Sequence, residues 1–317
     1  MRLLRGLHNI PSDFGGCVAT IGNFDGLHLG HQNILQSLRD VADRLQMPTL
    51  VMLFEPQPRE FFAPESAPAR LANLREKLQD LAAHGVDYVL CLPFNQALRS
   101  MSADAFINDI LLAALDIRHL IVGDDFRFGC DRSGDYSALV AAGELHGFGV
   151  QDTPTFEYDE ERVSSTRVRR ELVANNLPRV AQLLGRDYRM SGRVAWGRQL
   201  GRTIGTPTAN VMIHREQLPL HGVYAVHVTH EESGEHYLAV ANVGVKPTVA
   251  GVPEPSLEVH LLGFSGNLYQ QHLTVEFQHK IRDEQKFADL TALKNAIEND
   301  KNAARNFFAA RSNSFRF

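Results

Sequence analysis

Cysteine is scarce in this chain of 317 residues, which contains only Cys17, Cys91 and Cys130. Their number is odd and they lie far apart, so they form neither a disulfide framework nor a CxxC-type zinc site. Scattered thiols of this kind are typical of proteins from a reducing compartment. We therefore expect a cytoplasmic location.

Long apolar runs and a strong excess of one charge are also missing. The chain has no run of about 18 apolar residues, and residues 1–14 lack the continuous apolar stretch of a signal peptide. The net charge of −5 argues against a surface that coats nucleic acid. We expect neither a membrane nor a nucleic acid as partner, and the sequence leaves the oligomeric state open.

The first half of the chain alternates apolar runs with helical stretches. The apolar runs are 17–21, 49–54, 88–92 and 120–122, and the helical stretches are 32–45, 69–84 and 103–115. Buried strands that alternate with helices predict an α/β domain with a parallel, doubly wound sheet. Ligands of such sheets bind at the carboxyl ends of the strands.

The second half has strand-like segments with no helices between them. These segments are 188–196, 222–229, 237–243, 257–262 and 273–282. Many short strands punctuated by glycine and proline predict a small antiparallel β-barrel, and apolar spacing over 287–297 predicts a terminal helix. We place the two domains at 1–183 and 184–317, and we expect each to have its own core.

Residues 20–31 read TIGNFDGLHLGH, a glycine-rich turn between a strand and a helix. The free N–H groups and the dipole of a helix start favour phosphate, and Gly22 and Gly30 permit close backbone approach. His28 and His31 are three residues apart and can face the same anion. The chain contains neither a P-loop nor a G-x-G-x-x-G motif. The alternative is a plain turn with surface histidines, but the strand–turn–helix context favours a phosphate site.

Residues 164–169 read SSTRVR. Hydroxyls such as those of Ser165 and Thr166 are ordinary helix N-caps. The same hydroxyls followed by arginines, among them Arg169, also suit a triphosphate. The residues alone leave both interpretations open.

Residues 197–211 read GRQLGRTIGTPTANV, with glycines at a spacing of four that include Gly201 and Gly205. Backbone N–H groups of such a loop can cradle phosphate. Thr208 and Asn210 offer neutral oxygen ligands to a hard cation. Taken alone, however, this segment favours a structural loop of the barrel.

Taken together, these motifs resemble a known family. GNFDGLHLGH with SSTRVR is similar to the adenylyltransferase half of bacterial bifunctional riboflavin kinase/FAD synthetases, and H-x-G-H is shared with the wider nucleotidyltransferase superfamily. The segment GRTIGTPTAN resembles the riboflavin kinase signature. Further similar motifs are GVY at 222–224, ANVGVKPT at 241–248, LEVHLL at 257–262 and IRDEQKF at 281–287. The resemblance implies a Rossmann-like nucleotidyltransferase sheet followed by a riboflavin kinase-like barrel.

The resemblance also implies two reactions on a flavin. ATP would phosphorylate riboflavin to FMN, and a second ATP would adenylylate FMN to FAD with release of pyrophosphate. The implied partners are the small molecules riboflavin, FMN and ATP, and the implied cofactor is Mg²⁺ carried with ATP.

The resemblance implies roles for particular residues of this chain. The implied catalytic residues are His28, His31, Arg169 and Glu258. The implied ATP or phosphate contacts are Gly22, Asn23, Phe24, Gly30, Ser165, Thr166, Gly201, Gly205, Thr208 and Asn210. The implied flavin contacts are Phe54, Asp125 and Phe128, and the implied metal ligands are Thr208 and Asn210.

Glu258 would be the base of the kinase step. It alternates with Leu257 and Val259 in a predicted strand, which by itself is typical of an exposed surface glutamate. The reaction favours the other interpretation, because the riboflavin hydroxyl must lose a proton as it attacks phosphorus. Two positions, Lys246 and Gln270, depart from the residues common in the family.

Three other functions were weighed against this one. A monofunctional adenylyltransferase would keep an inactive barrel, but Thr208, Asn210 and Glu258 together argue for an active kinase site. An RNA-handling protein built on H-x-G-H would carry a KMSKS-type second motif, which is missing. A flavin storage module would bind flavin without consuming ATP.

Overall fold

The chain divides by its contacts into two compact units. The structure, a computed structural model, describes residues 1–123, 125–196, 206–246 and 254–314. The first unit comprises Met1–Pro68 and Lys77–Ser164, and the second comprises Ala69–Glu76 and Ser165–Phe317. The domains predicted at 1–183 and 184–317 were placed where the hydrophobic pattern of the sequence changes, and that division stays a prediction.

The first unit is built on a six-stranded sheet in which every pairing is parallel. Its strands are β1 Arg2–Arg5, β2 Cys17–Ile21, β3 Thr49–Glu55, β4 Tyr88–Pro93, β5 Ile117–Gly123 and β6 Gly149–Thr153. They lie in the order β1-β4-β3-β2-β5-β6. The order reverses between β2 and β5, and ligands of doubly wound sheets bind at the carboxyl ends beside such a reversal.

Helices connect these strands. They are α1 Leu29–Leu45, α2 Pro58–Phe62, α3 Leu74–Ala83, α4 Gln96–Arg99, α5 Ala103–Ala105 with a π-helical continuation over Phe106–Ala114, and α6 Tyr136–His146. In α1 the buried Leu35, Leu38 and Val41 recur at helical spacing and form its apolar face. A short hairpin, β7 Glu157–Tyr158 and β8 Glu161–Arg162, follows the sheet. The predicted parallel α/β sheet is confirmed.

The second unit contains a closed barrel in which every pairing is antiparallel. Its strands are β9 Arg189–Ala195, β10 Ala209–Met212, β11 Gly222–His230, β12 His236–Lys246, β13 Glu254–Leu261 and β14 His272–Arg282. Their order around the barrel is β10-β13-β12-β11-β14-β9. Apolar side chains alternate inward along β13, where Leu257, Val259 and Leu261 are buried. The predicted antiparallel barrel is confirmed.

In the described part of the second unit, the barrel is accompanied by the helices α7 Ser165–Val173, α8 Leu177–Leu184 and α9 Leu290–Ser314. The predicted terminal helix is confirmed in α9, whose Ala304 and Phe308 pack in one buried cluster with barrel residues. Asp300 of α9 also accepts two hydrogen bonds of 2.8 Å from the Arg282 guanidinium. No helix among the described residues is long and apolar enough to cross a membrane.

Residues 69–76 belong to the second unit although the chain on either side of them belongs to the first. Glu76 is buried there and accepts a hydrogen bond of 2.6 Å from Arg215, whose side chain is also buried. The same carboxylate accepts a hydrogen bond of 2.6 Å from the Ser191 backbone N–H, and Arg215 also donates to the Leu71 carbonyl at 3.0 Å. A buried, fully engaged ion pair therefore ties this segment into the barrel unit.

Candidate active sites

The first candidate site lies where β2 ends and α1 begins. The turn between them contains residues in the left-handed backbone region, at Phe24 (φ 45°), Gly26 (φ 85°) and Leu27 (φ 43°). The Phe24 ring is buried and lies against Gly22, where a Cβ would meet it at 3.1 Å. The role of Phe24 as an ATP contact stays a prediction. Asn23, in contrast, is exposed.

His28 and His31 form a stacked pair at the start of α1. Their ring centroids are 3.7 Å apart with an interplanar angle of 14°. His28 is the N-cap, and its Nδ1 accepts a hydrogen bond of 3.3 Å from the His31 N–H. When His28 is neutral, its ring proton is therefore on Nε2. Gly30 permits the stacking, because a Cβ there would meet His28 Nδ1 at 3.2 Å.

The electrostatics keep His31 neutral. Burial, the neighbouring His28 and the charge of Lys77 together hold the pKa of His31 well below its ordinary value. His31 Nδ1 is buried and has no hydrogen-bond partner among the described residues. A neutral His31, with a ring nitrogen that has no partner among the described residues, fits a site that donates a hydrogen bond to a phosphate.

Lys77 was missed by the sequence analysis. Its side chain is completely buried, and its Nζ lies 3.8 Å from the carboxylate of Glu55 at the end of β3. The available signal was its spacing, because Lys77 falls three residues after Leu74 and four before Leu81, on the apolar face of α3. A lysine on that face places a positive charge inside the unit that holds the histidine pair.

We expect His31 to remain uncharged well below neutral pH. Its pKa in the folded chain lies below the value of 6.5 expected when unfolded. Between those two values the unfolded chain binds a proton that the folded chain does not. The difference in proton binding means that His31 contributes to the free energy of unfolding. This contribution is complete at pH values above 6.5, and it falls as the pH is lowered, by about 1.4 kcal/mol per pH unit at most. NMR titration of the His31 ring protons, assigned with a His31→Gln variant, measures this, and a midpoint at or above 6.5 would contradict it.

An aromatic cavity of about 1040 Å³ lies in the same unit. Two of the three predicted flavin residues, Phe54 and Phe128, line it. Phe128 stacks on Phe126 with centroids 5.7 Å apart, and Phe54 meets Phe94 edge-on at 5.9 Å. The arginines that line the cavity are Arg59, Arg99, Arg127 and Arg132. Flat aromatic faces beside cationic groups suit a planar, phosphorylated ligand.

Asp125, the third predicted flavin residue, is not among the described residues that line this cavity. Its side chain is 67% exposed and lies 3.4 Å from Arg162. Its carboxylate also lies over Gly123 at the end of β5, where a Cβ would meet it at 2.9 Å. The structure therefore does not bring Asp125 together with Phe54 and Phe128.

The predicted triphosphate residues Ser165, Thr166 and Arg169 all lie in α7, which belongs to the second unit. Thr166 is exposed, and Arg169 is half-buried. Arg169 donates a hydrogen bond of 2.6 Å from Nε to the carbonyl of Ala69.

The second candidate site lies on the barrel where β10, β13 and β12 run side by side. Glu258 of β13 is paired with Asn210 of β10 on one side and with Asn242 of β12 on the other. Directly paired residues of antiparallel strands present their side chains on the same face. Glu258 is half-buried on the face opposite to Leu257, as predicted from the alternation. Lys246 Nζ donates a hydrogen bond of 2.8 Å to Asn210 Oδ1 and forms an ion pair with the Glu258 carboxylate.

Thr208 and Asn210 both line a neighbouring cavity of about 580 Å³. Trp196 and Tyr269 line it too, and their rings stack with centroids 3.6 Å apart. This cavity can accept a second planar ligand beside the two oxygen-bearing side chains. Gly201 and Gly205, predicted to bind phosphate, lie outside the described residues.

Comparison with family models and with known proteins identifies the family. Residues 10–167 match the model of FAD synthetase, and residues 184–308 match the model of riboflavin kinase. Each match contains one of the two candidate sites.

Full-length relatives carry both activities in their names. The chain is 54% identical to the bifunctional riboflavin kinase/FMN adenylyltransferase of Pseudomonas fluorescens, over 96% of this chain and 97% of the relative. It is 50% identical to the protein of that name from Escherichia coli K12, over 97% and 98%. A crystal structure of a macrolide-efflux protein from Streptococcus pneumoniae is similar in fold, with a TM-score of 0.79 and 28% identity over 96% of this chain and 99% of that one. The chain belongs to the family of bifunctional riboflavin kinase/FMN adenylyltransferases.

Proposed function

We propose that the two reactions of the family are divided between the two candidate sites. The chain phosphorylates riboflavin to FMN with ATP, and it adenylylates FMN to FAD with a second ATP. The main support for this division is that the FAD synthetase match contains the histidine pair and the riboflavin kinase match contains Asn210 and Glu258. The domain boundary at residue 183 follows from the same proposal.

Adenylylation is assigned to the turn before α1. An oxygen of the FMN phosphate attacks the α-phosphorus of ATP, a new P–O bond forms, and the bond to pyrophosphate breaks. The nucleophile is already anionic, so the protein must supply positioning and charge stabilisation. The imidazoles of His28 and His31 donate hydrogen bonds to the α-phosphate, and the N–H groups at the start of α1 add the positive end of the helix dipole.

The remaining predicted ATP contacts belong to the same proposal. Gly22 and Gly30 allow the backbone to approach the nucleotide, and Asn23 lies exposed on the turn. Ser165, Thr166 and Arg169 are assigned to the outgoing phosphates through the family motif alone. Phe54 and Phe128 are assigned to the flavin ring because they line the aromatic cavity.

Phosphorylation is assigned to the barrel. Glu258 accepts the proton of the riboflavin 5′-hydroxyl as its oxygen attacks the γ-phosphorus, and ADP leaves. ATP-using kinases and adenylyltransferases typically require a divalent metal, and we propose Mg²⁺. The residues fit such an ion, because Thr208 and Asn210 offer neutral oxygens and an ammonium cation from Lys246 already binds Asn210. The metal would neutralise phosphate charge, and Thr208 and Asn210 would hold it.

One incubation tests the assignment as a whole. The full chain with riboflavin, ATP and Mg²⁺ should yield FMN and then FAD by chromatography. Flavin binding without ATP consumption would support a storage protein instead. Conversion of supplied FMN without phosphorylation of riboflavin would leave only the adenylyltransferase. A cytoplasmic location is also proposed, and the three cysteines, all free thiols, support it.

Replacement of either histidine should damage adenylylation selectively. We expect His28→Ala or His31→Ala to lower FAD formation from supplied FMN by roughly 10²–10³-fold, the usual cost of losing one donor to a transition-state oxyanion. Riboflavin phosphorylation, measured on the same preparations, should be unchanged and serves as the control for folding. FAD formation at the parental rate in both variants would remove the histidine pair from the mechanism.

A further inference from the structure

A lysine side chain of the same chain lies in the proposed kinase site and contacts two of its functional groups. Lys246, the last residue of β12, donates a hydrogen bond of 2.8 Å to Asn210 Oδ1 and forms an ion pair with the Glu258 carboxylate. Asn210 is the proposed metal ligand and Glu258 the proposed base. One ammonium group therefore contacts both functional groups.

We propose that Lys246 is a positioning residue that competes with the divalent metal for these oxygens. Before nucleotide binds, its ammonium holds the Glu258 carboxylate beside Asn210. Metal binding displaces the ammonium from Asn210 Oδ1. This inference rests on the proposed roles of Asn210 and Glu258.

The geometry requires competition. A metal ligated by Asn210 Oδ1 at about 2.1 Å would lie within about 5 Å of an ammonium held on the same oxygen, where two cations repel strongly. The Lys246 side chain can leave, because it is 45% exposed and a lysine carries its charge at the end of a flexible four-carbon stem. The release does not leave Glu258 isolated, since the incoming cation takes over the neutralisation of the site.

The test measures metal binding rather than turnover. Full-length parent and variants are titrated with Mn²⁺ in the presence of ADP, and free Mn²⁺ is followed by electron paramagnetic resonance. The kinase-site component is the binding that Asn210→Ala removes. We expect Lys246→Met to bind Mn²⁺ at this site roughly three- to tenfold more tightly than the parent, the scale of a partly exposed charge interaction.

Two further variants separate charge from other effects. Lys246→Arg keeps the cation and should bind Mn²⁺ as the parent does. Lys294→Met removes the same charge from an exposed position of α9 and should also match the parent. If Lys246→Met fails to fold, Lys246→Gln makes the same comparison.

The outcomes distinguish a failure of the proposed competition from a failure of the proposed metal site. Equal or weaker Mn²⁺ binding after removal of the lysine charge would overturn the competition, as would equally tight binding by Lys246→Arg. If Asn210→Ala removes no Mn²⁺ binding, the proposed metal site fails and this inference fails with it. Tighter binding only when the charge at residue 246 is removed supports the proposal.

Discussion

Glu258→Gln is expected to lower riboflavin phosphorylation by roughly 10²–10⁴-fold, the usual scale of losing a general base. The riboflavin hydroxyl is neutral and must give up its proton during attack, whereas glutamine keeps the size of glutamate but cannot accept that proton. The side chain lies on the same face of the barrel as Asn210, its partner across β10 and β13. The rate of FMN formation with saturating ATP and Mg²⁺ measures the effect.

The same variant provides its own specificity control. Supplied FMN should be converted to FAD at the parental rate, because its phosphate needs no base. Glu276→Gln, which changes a half-buried glutamate on β14, should leave both rates unchanged. Lys246→Met should lower phosphorylation far less than Glu258→Gln, since it removes the ion pair but keeps the carboxylate. Normal phosphorylation by Glu258→Gln would exclude Glu258 as the base, and an equal loss of both activities would indicate a folding role.

The architecture was predictable because burial is encoded locally. The apolar run of β2 predicts a strand that is buried on both faces, and the alternation in β13 predicts a strand that is buried on one face. The limits of helices were less predictable. The periodicity over 69–84 predicted one helix, whereas α3 begins only at Leu74. Asn73 and Glu76 form a reciprocal capping box, with hydrogen bonds of 2.9 and 2.7 Å between side chains and backbone N–H groups.

The positions of both candidate sites also follow from sequence motifs, but their internal contacts do not. His28 and His31 are three residues apart at the start of a helix, so their proximity follows from local spacing. The hydrogen bond between Lys246 and Asn210 joins residues 36 positions apart, and no local pattern encodes that contact. The ion pair between Glu76 and Arg215 could not be predicted for the same reason, because the two residues are 139 positions apart.

Residues 69–76 make the barrel unit depend on a segment from the first half of the chain. Glu76 and Arg215 are both buried, with exposed side-chain fractions of 3% and 0%. Removal of one partner of a buried ion pair strands the other charge in a medium that solvates it poorly. The prediction that residues 184–317 form a domain with its own core stays untested, and a fragment with those bounds would contain Arg215 without Glu76.

We expect Glu76→Ala to destabilise the second unit by about 3–5 kcal/mol, because Arg215 keeps its charge and loses its carboxylate. The chain has a single tryptophan, Trp196, which lies in this unit, so tryptophan fluorescence in urea follows the unfolding of the barrel.

Arg75→Ala breaks a neighbouring ion pair with Glu231, in which Arg75 is 52% exposed, and should cost no more than about 1 kcal/mol. Glu76→Ala combined with Arg215→Ala should lose less stability than the two single losses added together, since no charge is then stranded. Strict additivity, or a parental unfolding curve for Glu76→Ala, would mean that the barrel does not depend on this pair.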